Sequence, residues 1–464
     1  MKAHDAMYIG GRWRPAATAE TIAVVNPADE RTVARVPAGT AEDIDAAVRA
    51  ARAAFPGWAA TPPAGRAARI AALRDALAAR ADAFTETVVA ELGAPPDLAR
   101  TVHAGLPVVI AASFAELAAA HSFEEAVGNS TVLLEPVGVV GAITPWNYPL
   151  HQIVAKAAAA LAAGCAVVVK PSEETPLTAQ LFAEAVHEAD LPAGTVNVVT
   201  GLGPVAGAAL AAHDGVDLVS FTGSTAVGRR IGAVAGAAVK RVTLELGGKS
   251  ASVILPGADL RTAVRASVAQ VMFNSGQTCS AWSRLLIHRD QYEEAVALAA
   301  EEAAGHTPGE RIGPLVSERQ LRRVRGHIDK AVAEGARLVT GGPAAPRGLG
   351  HYVSPTVFAD VTPEMAVAQE EIFGPVVALL RYEDEEDALR IANGTVYGLG
   401  GAVWAADDAT AAAFARRMDA GQIDVNGGRF NPLAPFGGHK RSGFGRELGA
   451  HGLAEYLQTK SLQF

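Results

Sequence analysis

Polar and apolar positions along the chain fall into two successive alternations. Near the start, Ile44, Ala47, Val48, Ala51 and Phe55 recur at helical spacing behind Thr40, a good N-cap, with acids in the first turn. Ile70, Leu73, Leu77, Phe84 and Val88 predict a second, longer helix. From residue 131 the period changes: TVLLEPVGVVGAITP predicts two strands joined by a turn. CAVVV (165–169), TVNVV (195–199), VDLVSF (216–221) and KRVTLEL (240–246) predict further strands. Between them lie helical stretches: PLTAQLFAEAVHEA, capped at Thr175 with Pro176 in first position, then PVAGAALAAH and TAVGRRIGAVA. Such regular alternation predicts a parallel sheet with helices on both faces. A second alternation opens with SRLLIH (283–288), continues through helices near 290–304 and 317–334, and ends in strands at 375–381, 400–404 and 422–425. Two α/β domains follow, with a boundary near 247, behind a short N-terminal hairpin. The glycine-dense stretch GGRFNPLAPFGGHKRSGFG (427–445) reads as a functional loop.

Composition narrows the class. In 464 residues, half are hydrophobic and 19% charged, which describes a large buried core and excludes a disordered chain. A net charge of −9 and no basic stripe with interleaved aromatics speak against nucleic acid. The greasiest run, IVAKAAAALAAGCAVVV, is interrupted by Lys156 and Gly164; it predicts a buried helix running into a buried strand, with no membrane span expected. Two cysteines without framework spacing, and no signal-peptide core in MKAHDAMYIGGRW, point to a reducing cytoplasm.

Three stretches bear on a dinucleotide. GLGPVAG (201–207) nearly matches a fingerprint, but three residues precede its last glycine and no acid ends the next strand. It reads as a loop packed closely on a helix. TGSTAVG (222–228) opens a helix behind a strand, where N-terminal amides can hold a phosphate, although capping alone explains such a turn. In KPSE (170–173), Lys170 and Glu173 end a parallel strand, where open α/β sheets bind ligands. A carboxylate there suits a ribose diol; a solvated ion pair explains the spacing equally well.

FNSGQTCSAWSR (273–284) places a scarce thiol, Cys279, among small polar residues. A nucleophilic thiolate needs a base, a donor for the oxyanion and a route to turnover. Glu245 of ELGGKS and Asn147 of PWN could supply the base and the donor. A packed thiol, a turn asparagine and a salt-bridged glutamate are the ordinary alternative, and on residue type alone that alternative prevails.

Together, PWNYPL, KPSEETP, FTGSTAVG, ELGGKSASVI, GQTCSA, EEIFGPV and PFGGHKRSGFGRELG resemble the aldehyde dehydrogenase superfamily, in order and over nearly the whole chain. The resemblance implies the following. Cys279 attacks the aldehyde carbon, Asn147 and the Cys279 N–H hold the oxyanion, Glu245 activates water for hydrolysis of the thioester, and Lys156 relays protons. Trp146, Lys170, Ser172, Glu173, Gly223, Ser224, Leu246, Glu371 and Phe373 hold NAD, with NADP less favoured. Tyr148, His151, Gln152, Trp282, Arg429 and Phe430 line the aldehyde tunnel, whose polar mouth suits a polar or acid-bearing aldehyde. No metal is implied. The implied fold has a Rossmann-like NAD-binding domain (1–116 and 137–246), an α/β catalytic domain (247–440) and a small β oligomerisation element (117–136 and 441–464) that makes a homodimer or homotetramer. A cysteine-dependent esterase and a non-redox binding role remain the competing functions.

Overall fold

The protein is described from a computed structural model covering residues 2–3 and 5–464. An eight-stranded sheet forms the first half. Its five central strands, Val139–Ile143, Ala166–Lys170, Val196–Val198, Leu218–Thr222 and Arg241–Glu245, are parallel. Antiparallel additions close both edges. On one side the hairpin Ala6–Ile9 and Arg12–Pro15 turns through Gly10–Gly11 at φ 64° and 78°, as a two-residue turn requires. On the other, Gly443–Phe444 pairs with Arg241–Glu245. A seven-stranded sheet forms the second half, parallel except for the edge strand Arg337–Thr340. Strands Glu124–Val127, Ser130–Pro136 and Leu457–Gln463 form a separate antiparallel three-stranded sheet.

Local chemistry explains most boundaries. Thr40 and Asp43 close a reciprocal capping box on helix Ala41–Ala59. Helix Pro149–Ala163 ends at Gly164 in the left-handed conformation (φ 96°), and strand Ala166–Lys170 starts immediately, buried throughout. By length and apolarity alone, Pro96–Ala120 could cross a bilayer. Here it contains a π-helical stretch, Ala99–Gly105, and packs against helices Pro63–Ala79 and Pro149–Ala163.

Three expectations need correction. The longer helix predicted over 70–88 is two helices, Pro63–Ala79 and Ala81–Glu91, separated at Arg80 (φ −104°, ψ 14°). Its apolar period runs on unbroken because both helices bury the same core, including Ile70, Leu77 and Phe84. Of the expected oligomerisation stretch 441–464, only Leu457–Gln463 joins the small sheet. Residues Gly443–Phe444 belong to the first large sheet, and helix Gly449–Ala454 packs on Pro149–Ala163. In the second half, strands Ala251–Ile254 and Thr356–Ala359 and helices Leu260–Met272 and Glu385–Asn393 add to the elements read from the pattern.

Candidate active site

Four parallel strands of the first sheet end on one cleft of about 660 Å³. Ile143 leads into Trp146 and Asn147, Lys170 into Ser172 and Glu173, Thr222 into Gly223 and Ser224, and Glu245 into Leu246 and Gly247; all of these except Glu245 line the cleft. Cys279, Glu371 and Phe373 face it from the second half, and Gln152 from helix Pro149–Ala163. The cleft thus lies at the carboxyl ends of the strands, where open α/β sheets place ligands.

At one end, Lys170 Nζ sits 3.1 Å from Glu173 Oε2. Burial opposes charge on Glu173, but Lys170 and backbone donors outweigh it and hold the carboxyl below its ordinary range. Ser172 Oγ accepts from the Glu174 N–H at 3.3 Å. Ser224 caps helix Thr225–Ala237 by accepting from the Val227 N–H at 3.4 Å. The loop at 201–207, set aside in the sequence as plain packing, contributes Gly203, Pro204 and Gly207 to the cleft wall. Its role is to line, since the helix it opens is a short π-turn, Gly203–Gly207, running into Ala208–Ala212. At the other end, Glu371 Oε1 accepts from the Gly248 N–H at 3.0 Å, and the Trp146 and Phe373 rings meet edge to face at 5.3 Å.

Cys279 follows a strained loop. Asn274, Ser275 and Gly276 all have positive φ (50°, 58° and 73°). A Cβ on Gly276 would sit 2.0 Å from the Gly374 carbonyl oxygen, so only glycine fits. Side chains hold the loop in place. Asn274 Nδ2 donates to the Asn147 carbonyl at 2.9 Å, Ser275 Oγ to the Gly313 carbonyl at 2.8 Å, and Gln277 Oε1 accepts from the Val316 N–H at 2.9 Å. Asn147 Nδ2 donates to the Gln277 carbonyl at 2.9 Å, which sets its amide beside the nucleophile loop. Burial pushes the Cys279 thiol up, and the carboxyl groups of Glu371, Glu245 and Glu447 add to it.

Glu245 is 3% exposed, and among the described residues neither carboxylate oxygen has a hydrogen-bond partner. Burial, with Glu447 nearby, raises its pKa well above the ordinary range, while Lys156 and Arg446 oppose the rise. Gly437 makes room for it: a Cβ there would lie 2.7 Å from Glu245 Oε1. Lys156 is buried and paired with Glu447, a residue that sequence reasoning missed although it lies in the quoted GFGRELG run.

The expected tunnel residues divide. Tyr148 donates to or accepts from Thr278 Oγ1 at 2.6 Å, next to Cys279, and His151 lies beside Tyr148 at 6.3 Å between ring centres. Arg429 and Phe430 lie exposed on the loop before Phe436, outside the cleft lining, with the Phe430 and Phe436 rings 6.3 Å apart. Trp282 is a correction: it is buried in the core of the second half against Trp404, ring centres 6.5 Å apart, with its backbone N–H held by Gln270 Oε1 of helix Leu260–Met272 at 3.0 Å. Besides Glu447, the structure brings in His103, Asn274, Gln277 and Thr278. Of these, only the loop residues were readable as a group, from their place in FNSGQTC.

A buried carboxylate, a thiol on a braced loop and a strand-end cleft meet in one α/β site. Comparison with known proteins agrees: the model of the aldehyde dehydrogenase family matches residues 13–462. A 3-succinoylsemialdehyde-pyridine dehydrogenase from a Pseudomonas species is 43% identical, covering 100% of this chain and 99% of its own. Among solved structures, a mutant of aldehyde dehydrogenase C from Pseudomonas syringae, complexed with NAD+ and octanal, is 44% identical with a TM-score of 0.98, over 99% and 96% of the two chains. An aldehyde dehydrogenase from Mycobacterium tuberculosis, complexed with NAD+, is 44% identical with a TM-score of 0.97, over 100% and 98%. The chain belongs to the aldehyde dehydrogenase family, and it is an oxidoreductase acting on aldehydes.

Proposed function

We propose that the chain oxidises an aldehyde to the free carboxylic acid with NAD, through an acyl-enzyme on Cys279. The observation that carries this is the meeting of Cys279, Asn147 and the strand-end cleft in one site, with Glu245 buried behind it. The cleft fits a dinucleotide: its volume is ample, and Gly247 leaves the space in which Glu371 sits, since a Cβ there would fall 2.4 Å from Glu371 Oε2. Lys170 and Glu173 would meet the adenosine ribose, and the first-turn amides behind Ser224 the pyrophosphate. Glu371 would meet the second ribose, with Trp146 and Phe373 packed at the nicotinamide end. When bound, the nicotinamide accepts the hydride that leaves the substrate carbon.

The chain's own residues do the rest. The Cys279 thiol releases its proton to water in the cleft as its sulfur bonds to the aldehyde carbon, and the carbonyl oxygen takes the negative charge, held by the Asn147 amide and the Cys279 N–H. Loss of hydride leaves a thioester. Glu245, with free lone pairs, then takes a proton from water as the water oxygen bonds to the acyl carbon. The carbon–sulfur bond breaks and the acid departs. Lys156 and Glu447 give that proton a charged route away from Glu245. The three-stranded sheet, with Val127, Leu462 and Phe464 exposed, is the surface for self-association into a dimer or tetramer.

The test is an aldehyde panel with each cofactor, read by NADH absorbance. Aldehyde-dependent NADH supports the reading. Ester hydrolysis with no NADH from any aldehyde would replace it with a non-redox cysteine hydrolase.

A further inference from the structure

We infer that His103 is a positioning residue for the nucleophile loop. It lies in the π-helical stretch Ala99–Gly105, a rare geometry that recurs at functional sites. The side chain is 0% exposed, yet among the described residues neither ring nitrogen has a hydrogen-bond partner. Leaving a buried imidazole unpartnered is costly, and a leucine of similar size would avoid the cost. What the ring does have is a flat face. It stacks on Tyr148 with centres 5.1 Å apart and planes 17° apart. Tyr148 in turn carries the hydroxyl that is bound to Thr278 Oγ1 at 2.6 Å, one residue before Cys279.

The same loop also comes close to the ring through Asn274. Asn274 approaches it without closing a hydrogen bond, and its amide is already committed to the Asn147 and Gln277 carbonyls at 2.9 and 3.4 Å. His103 therefore adjoins two side chains that grip residues 274–278, Tyr148 and Asn274. Burial holds the imidazole neutral, which keeps positive charge out of the stack. A loop with three consecutive positive φ values needs such bracing to hold the thiol within reach of the Asn147 amide. His103 is not part of the cleft lining and acts through Tyr148 and the loop.

The inference rests on Cys279 being the nucleophile. Two variants separate a flat ring from mere volume: His103→Phe keeps the ring, and His103→Leu removes it. Each is measured for kcat, KM, NAD binding in the absence of aldehyde, and the rate at which iodoacetamide alkylates Cys279. His103→Leu should lower kcat and the alkylation rate by about tenfold or more while NAD affinity stays within about twofold, and His103→Phe should recover most of both. Tyr148→Phe, which keeps the stack but severs the Thr278 bond, should reproduce the loss. Its combination with His103→Leu should cost little more than either alone. Should His103→Leu not fold, Tyr148→Phe and His103→Phe still decide the matter. Unchanged kcat and alkylation in Tyr148→Phe, or a His103→Phe variant with the loop's reactivity lost, would overturn the inference. So would a folded His103→Leu with wild-type kcat. Failure of the dehydrogenase reading would show differently, as no NADH from the wild type with any aldehyde.

Discussion

Two glutamates show what burial does to one side-chain type. Glu173 keeps its charge because Lys170 stands 3.1 Å away, whereas Glu245 has no hydrogen-bonding partner among the described residues and its proton is held more tightly. Each makes a prediction. A charged Glu173 repels a 2′-phosphate, so the enzyme should favour NAD over NADP, and Glu173→Gln should narrow the kcat/KM ratio by about tenfold; equal ratios in wild type and variant would refute the assignment. Glu245 works as a base only when deprotonated, so steady-state turnover should fall as pH drops through a midpoint above the ordinary carboxylate range. In Glu245→Gln that acid limb should vanish along with most turnover. A limb that survives the substitution would place the titrating group elsewhere. At this scale the sequence was legible only through its motifs: a thiol, an amide and a carboxylate are common residues, and nothing in their types told that Glu245 would be left unpartnered. Glu447 and His103 gave no local signal, because what they contact lies 291 residues away in one case and at the N-cap of another helix in the other.

Elements carried more information than their boundaries. Strand-and-helix alternation predicted the first sheet well, since its central strands are buried on both faces and read as unbroken apolar runs such as AVVV. It failed at Arg80, where two helices share one face; the bounds 441–464 came from the resemblance instead, and there a two-residue strand, Gly443–Phe444, is too short to leave a pattern. The loop before Cys279 is the element that most rewards testing. Gly276→Ala adds a methyl group 2.0 Å from the Gly374 carbonyl oxygen at φ 73°. The strain should cost about 1–3 kcal/mol of stability and should lower kcat more than NAD affinity, measured by thermal unfolding and by cofactor titration. A variant with wild-type melting and turnover would show that the loop does not need its left-handed run.

For the whole molecule, the buried imidazoles tie stability to pH. His103 and His151 are held down to about 3 and about 4 by burial, against an ordinary 6.5. As pH falls, the unfolded chain takes up protons first, so their contribution to stability is full above the ordinary value and is lost progressively between it and the lowered ones. Denaturant unfolding across that window should show a shallower pH slope in His103→Phe than in wild type, and identical slopes would contradict the buried neutral state. The central claim is a covalent acyl group on Cys279 formed as hydride leaves. It is tested most directly in Glu245→Gln mixed with aldehyde and NAD, by intact-mass spectrometry alongside NADH absorbance. The account predicts one acyl adduct per active subunit, located on Cys279, appearing in step with one equivalent of NADH and then decaying slowly. NADH produced with no adduct on Cys279, or an adduct with no NADH, would contradict it.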